Sequence, residues 1–255
     1  MVRRAYPRLR GRARVSIAAA FDRARDYDAH ASVQRAVAEA LAERILRLPL
    51  PEAPSVLEIG CGTGFLGQAL IERLPGARWL MTDIAPGMIA RARARFGSRA
   101  DYAVMDGEAP SVSGPFDLIC SSLAAQWFAD LPAALARLTR LLAPGGYLAL
   151  ATLAEESFAE WRAAHPADRE PGLRRHPAVT TLRMLGAEVE EERRRVPHTD
   201  SRAFLRSLKA IGAGTPRPGH RPLSPAALKQ TMRRFEAGGS FATYHIAYLT
   251  IGKQP

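Results

Sequence analysis

The chain has 255 residues, 47% of them hydrophobic and 24% charged, enough apolar content for one full α/β core, and it shows no internal repeat. Its longest apolar runs fall far short of the eighteen or so residues that span a bilayer, and its Arg-rich start lacks a signal-peptide hydrophobic region, so membrane insertion and export are not expected. A formal charge of +11 implies attraction to something acidic, but no basic groove interleaved with aromatics, of the kind that binds single-stranded nucleic acid, is visible.

Residues 1–15, with Arg3, Arg4, Arg8, Arg10, Arg12 and Arg14, read as a flexible basic tail, and 16–255 as a single domain. Helices are predicted over 16–27 and 32–48, where Val33, Val37, Leu41, Ile45 and Leu48 keep an apolar stripe. Pro49 to Pro54 forms a boundary. A core over 54–153 follows as strand 55–60, helix 64–74, strand 77–83, helix 86–96, strands 101–105 and 116–121, helix 131–142 and strand 146–153. Helix 131–142 is the best marked, with Asp130 as N-cap, Pro132 in the first turn, and Pro144, Gly145 and Gly146 as the stop. The alternation of strand and helix predicts a parallel sheet wound by helices on both faces. Cys61 and Cys120 have no metal-ligand spacing and fall at strand ends, so they read as reduced thiols of a cytoplasmic protein with no metal site.

Beyond 153 the pattern loosens into acceptor-side insertions over 154–240. Helices are expected over 155–164, 179–185, 200–211 and 225–236. The segment 188–196 is so heavily charged that it can only be a strand near an edge. Residues 212–222 are rich in Gly and Pro, and 241–253 carries the last strand.

The most informative stretch is VLEIGCGTGFLG, Val56 to Gly67. An apolar strand runs into closely spaced glycines before a helix, so a ligand can approach the backbone of the turn. Two frames fit. Gly62, Gly64 and Gly67 satisfy the G-x-G-x-x-G dinucleotide fingerprint. Glu58, Gly60, Gly62 and Gly64 resemble the first motif of the class I S-adenosylmethionine-dependent methyltransferases, [DE]-x-G-x-G-x-G. A dinucleotide brings a pyrophosphate, which a helix N-terminus suits, whereas S-adenosylmethionine brings an ammonium and a sulfonium, which an acid such as Glu58 suits. Asp83 ends the second strand about twenty residues on, where a carboxylate can accept both ribose hydroxyls of either cofactor. Asp106, followed by Gly107, ends the third; the dinucleotide pattern calls for no acid there, whereas the methyltransferase resemblance puts one at the adenine amino group. That resemblance makes Cys61, Ile84, Met88, Glu108, Ser121 and Leu123 further cofactor neighbours. It also implies a Rossmann-like seven-stranded, mostly parallel sheet whose last strand returns antiparallel between its neighbours, with an inserted helical lid before it.

Four longer segments, Ile17 to Gln34, Ser121 to Leu131, Phe204 to Gly214 and Thr243 to Lys253, resemble the malonyl-acyl-carrier-protein O-methyltransferases of biotin synthesis. The blocks SLKAIGA and TYH are the selective part; the first sixteen residues and 165–180 match least. The resemblance implies methylation of the free carboxylate of a malonyl thioester, S-adenosylhomocysteine as product, and an acidic carrier protein as partner, with neither nucleic acid nor membrane involved. A malonyl carboxylate is ionised at neutral pH and needs no general base, so what the site must supply is alignment and a cation. Arg206 and Lys209 from the lid helix and His245 or Tyr244 from the last strand are the candidates, with Tyr27 and Gln126 near cofactor or acceptor. Trp127 reads as core or pocket wall. Against each stands a plainer role: a solvated helix face for Arg206 and Lys209, a packed core position for His245. Other class I acceptors, a nucleic-acid methyltransferase and a non-catalytic binding module stay open, although the fourth strand end reads SSLAAQW, without the N-P-P-Y or D-P-P-Y block of amino-methylating enzymes.

Overall fold

The computed structural model describes residues 11–22, 28, 31–210, 216–217 and 219–254. Its sheet has seven strands: β1 (Ser55–Ile59), β2 (Arg78–Asp83), β3 (Asp101–Val104), β4 (Phe116–Ser122), β5 (Leu142–Leu153), β6 (Glu188–Pro197) and β7 (Phe241–Gly252), in the order β3-β2-β1-β4-β5-β7-β6. The first five run parallel, as the alternation of strand and helix predicts, and β7 lies antiparallel between β5 and β6, as the methyltransferase resemblance implies. The chain turns outward from β1 in both directions, so the carboxyl ends of β1 and β4 flank a crevice where the strand order reverses.

Period-two alternation places one set of side chains on each face. Val56, Leu118, Met81 and Ile246 join α2 (Ser32–Ile45), α3 (Phe65–Leu70) and α4 (Pro86–Phe96) on one side, and α1 (Gly11–Asp22) packs on α4; Val37, Leu41, Ile45, Leu66, Leu70 and Phe96 are buried there. Leu57, Ile59, Ile119 and Leu249 face α5 (Leu131–Arg140) and α7 (Val179–Arg183) through Leu135, Leu138, Val179 and Leu182. A sheet covered on both faces explains why its central strands are continuous apolar runs. Asp130 caps α5 by accepting from the Ala133 N–H at 3.0 Å.

Several boundaries move. The first helix starts at Gly11, inside the segment assigned to the basic tail; residues 1–10 and 23–27 lie outside the described residues. Helix α3 stops at Leu70 and not at 74, because Ile71 to Pro75 turns back into β2. The helix expected over 155–164 is only α6 (Ala159–Ala164), entered through Phe158 at φ +60°. The segment expected as a lid holds α8 (Ser201–Ala210) and α9 (Pro225–Ala237). Phe204 of α8 is fully buried between Trp161 of α6 and Phe235 of α9, at ring distances of 5.4 and 5.1 Å. Strand β6 takes the edge and lines it with ion pairs such as Arg194–Glu192 and Arg183–Glu191, which discourages pairing with another chain. Among the described residues no helix is long and apolar enough to cross a membrane, and no group of His, Cys, Asp or Glu could hold a metal ion.

Candidate active site

The glycine turn adopts a conformation that few other residues permit. Gly60 has φ +65° and Gly64, which begins α3, has φ +93°. A Cβ on Gly60 would overlap Ala124, and one on Gly64 would overlap the Phe96 ring. The turn is therefore pressed between the end of β4 and α4, with its backbone facing the crevice.

That crevice is a cleft of about 950 Å³, open solvent at its mouth included, and thus roomy enough for a nucleoside-sized ligand. The strand ends supply Glu58, Gly60, Cys61, Gly62, Asp83, Ile84, Asp106, Gly107, Glu108 and Leu123, and α4 supplies Met88. These are eleven of the fourteen cofactor neighbours expected from sequence. Gly64 sits behind the turn. Ser121 is fully buried in β4, and Ser122, on the opposite face of the strand, lines the cleft in its place. Tyr27 lies outside the described residues. Sequence reasoning did not single out Phe21, Gln34, Thr63, Met105 or Phe128, which also line the cleft. Phe21 and Gln34 come from the N-terminal helices, whose apolar stripe signals packing but not which end covers a ligand. Trp127 is pocket wall, its ring edge-on to Phe21 at 5.6 Å. Gln126 is turned inward and donates to the Leu123 carbonyl at 2.7 Å.

Four acids and no Lys, Arg or His line this cleft among the described residues. Asp83 is fixed by the N–H groups of Gly62 (2.9 Å) and Ala85 (2.8 Å), and Asp106 accepts from the Glu108 N–H at 3.0 Å. Glu58 has one carboxylate oxygen, Oε2, buried with no hydrogen-bond partner. Burial, reinforced by the Asp83 charge, pushes the Glu58 carboxyl up to about 8; burial pushes Asp83 up to about 6 against the pull of its two N–H donors. A site short of positive charge in this way suits a cationic ligand and opposes a pyrophosphate.

The acceptor candidates are not gathered here. None of Arg206, Lys209, His245 and Tyr244 lines the cleft. Arg206 and Lys209 are exposed on α8, opposite buried Phe204 and Leu208, as an amphipathic helix dictates. His245 is 1% exposed on the far face of β7, its Nε2 within 3.1 Å of Glu191 Oε2, so it serves the sheet edge. Tyr244 faces the other way and packs edge-on against Phe158 at 4.9 Å; burial pushes its phenol up to about 12.

A family described as methyltransferase domain matches residues 56–146. Among curated proteins, the chain is 52% identical over 238 residues to the biotin biosynthesis bifunctional protein BioCD of Bordetella avium, covering 91% of this chain but about half (51%) of that protein. It is 44% identical to the malonyl-acyl-carrier protein O-methyltransferase of Magnetococcus marinus, covering 89% of this chain and 88% of that one. The enzyme of the same name from Geobacter sulfurreducens is 36% identical, over 91% and 95%. Among solved structures, the YcgJ protein of Bacillus subtilis superposes with a TM-score of 0.57 at 16% identity, over 85% of this chain and 98% of that one. The BH2331 protein of Bacillus halodurans gives 0.58 at 14%, over 84% and 99%. These two likenesses speak for the fold alone. With a methyltransferase domain over the glycine turn and near full-length relatives at 44% and 36% identity, the chain belongs to the malonyl-acyl-carrier protein O-methyltransferase family.

Proposed function

We propose that this chain methylates the free carboxylate of a malonyl thioester on acyl-carrier protein, using S-adenosylmethionine and releasing S-adenosylhomocysteine, in the cytoplasm and for biotin synthesis. The observation that carries the cofactor reading is the cleft itself, four acids without a base around a glycine turn, with an unpartnered Glu58 oxygen at its floor. When bound, the cofactor supplies a sulfonium methyl, an electrophile that a carboxylate oxygen can take directly to leave a neutral ester and a neutral thioether.

The chain's own residues hold and screen. With the cofactor bound, Glu58 would face its ammonium end, the Gly60–Gly64 turn would let the backbone close on it, Asp83 would accept the ribose hydroxyls, and Asp106, Ile84, Met88 and Gly107 would hold the adenine. Glu108 has its Oε1 engaged by the Asp130 N–H at 2.8 Å, which ties the third strand's loop to the cap of α5. Phe21, Trp127 and Phe128 exclude water, so opposite charges that annihilate during transfer are poorly solvated beforehand. No base is required, because the acceptor arrives ionised.

The partner is supported by the family and by charge: a chain at +11 attracts an acidic carrier protein. The test is label transfer from methyl-labelled S-adenosylmethionine to a panel of malonyl carrier protein, acetyl carrier protein, malonyl-CoA and RNA. The reading expects label on malonyl thioesters and none on the acetyl carrier; label on RNA alone would sink it.

A further inference from the structure

With the four sequence candidates displaced, the acceptor carboxylate lacks a cation, and the segment where the family resemblance is weakest provides one. We propose that Arg174 receives the acceptor's free carboxylate at the Trp127 edge of the cofactor cleft and so selects malonyl over uncharged acyl groups; this rests on the carboxyl-methylation reading above.

The guanidinium of Arg174 stands 5.1 Å from the centre of the Trp127 ring, and Trp127 is cleft wall. Its Nη1 reaches the Trp127 carbonyl only at 3.4 Å, and its Nε is buried with no partner. No carboxylate among the described residues pairs with it. Two other half-buried arginines have a carboxylate, Arg44 with Glu190 at 2.8 Å and Arg194 with Glu192 at 2.6 Å, and Arg162, which has none, gives its Nε and Nη2 to backbone carbonyls. The nearby Glu170 is taken by Arg175 and Arg217.

A half-buried guanidinium without a counter-ion is costly to the fold unless something outside the chain supplies the charge. Burial pulls Arg174 below its ordinary value, and the charge of Glu108 in the cleft wall only partly offsets this. The backbone around it is set for the task. Arg162, held by the Ser157 carbonyl at 3.2 Å, donates through Nη2 to the Arg174 carbonyl and fixes that stretch. His176, two residues on, lies 6.4 Å from Phe158 between ring centres and is driven down to about 3 by burial and by Arg162 and Arg174, so it stays neutral and leaves Arg174 to hold the anion. Guanidinium N–H groups can hold one carboxylate oxygen and leave the other free to attack.

Arg174→Gln, Arg174→Lys, Arg206→Gln and Lys209→Gln are to be compared with the unmodified chain. Arg174→Gln is expected to lower kcat/KM for malonyl carrier protein by about a hundredfold and to keep S-adenosylhomocysteine affinity. By equilibrium binding with S-adenosylhomocysteine present, it should also lose the preference for malonyl over acetyl carrier protein. Its unfolding midpoint should hold or rise, because an uncompensated charge is removed; a structural role would lower it. Arg174→Lys should recover part of the preference. Unchanged rate and preference in Arg174→Gln, or unfolding of both Arg174 variants, would overturn the proposal, as would losses confined to Arg206→Gln or Lys209→Gln. The two readings fail separately. An unmodified chain inert toward malonyl thioesters sinks both, whereas an active one indifferent to Arg174→Gln sinks this one alone.

Discussion

At Glu58 the fold holds a carboxyl group that titrates near 8 where an unfolded chain would titrate near 4.5. Between those values the folded chain binds a proton that the unfolded chain does not, so the ligand-free protein loses stability as pH rises through that window. Asp83, raised to about 6, adds to the lower part of the same slope. Melting scans at stepped pH should show the midpoint falling from pH 5 towards about 8.5, and Glu58→Gln should flatten the slope. A cationic ligand has the opposite preference, since it favours the ionised carboxylate. S-adenosylmethionine affinity by calorimetry should therefore rise over the same range, and Glu58→Gln should weaken it by about ten- to a hundredfold while removing most of the pH dependence. An affinity flat in pH would mean that Glu58 does not face the ammonium. Gly64→Ala tests the turn itself. With φ at +93° and Phe96 in the way, it should cost about 1–3 kcal/mol of stability in denaturant titrations.

At the scale of elements, α6, α8 and α9 are held together by an aromatic knot: Phe204 of α8 against Trp161, Phe158 and Phe235. Phe204→Ala should cost about 3–5 kcal/mol, against a few tenths for Arg206→Ala on the exposed face of the same helix, both read by chemical denaturation. The core strands and the cap at Asp130 were legible in the sequence because each rests on a short-range pattern, apolar runs and a capping side chain, whereas the antiparallel return of β7 came from the family resemblance and not from the pattern. The acids of the cleft wall were legible for the same reason as the core strands, since Glu58, Asp83 and Asp106 all sit where a strand ends. The acceptor side was not. Tyr244 and His245 were both candidates, yet successive residues of a strand point to opposite faces, so they cannot share one ligand. Arg174 sits in a segment with no periodicity, where only the three-dimensional path brings it to Trp127. Ser122 took the place of Ser121 for want of one register step, which sequence alone does not fix.

For the whole molecule the unusual quantity is the charge of +11. If it steers an acidic carrier protein, the KM for malonyl carrier protein should rise several-fold from low salt to physiological ionic strength and beyond, while S-adenosylhomocysteine affinity, set inside the cleft, stays nearly constant. A KM indifferent to salt would assign the charge some other purpose. What identifies the reaction is where the methyl group ends up. Intact-mass analysis of malonyl carrier protein after incubation with the chain and S-adenosylmethionine should show the gain of one methyl group per thioester, and cleavage of the thioester should release it as the monomethyl ester of malonate. A carrier protein of unchanged mass, or a methyl group that stays on the protein when the thioester is cleaved, would contradict carboxyl methylation.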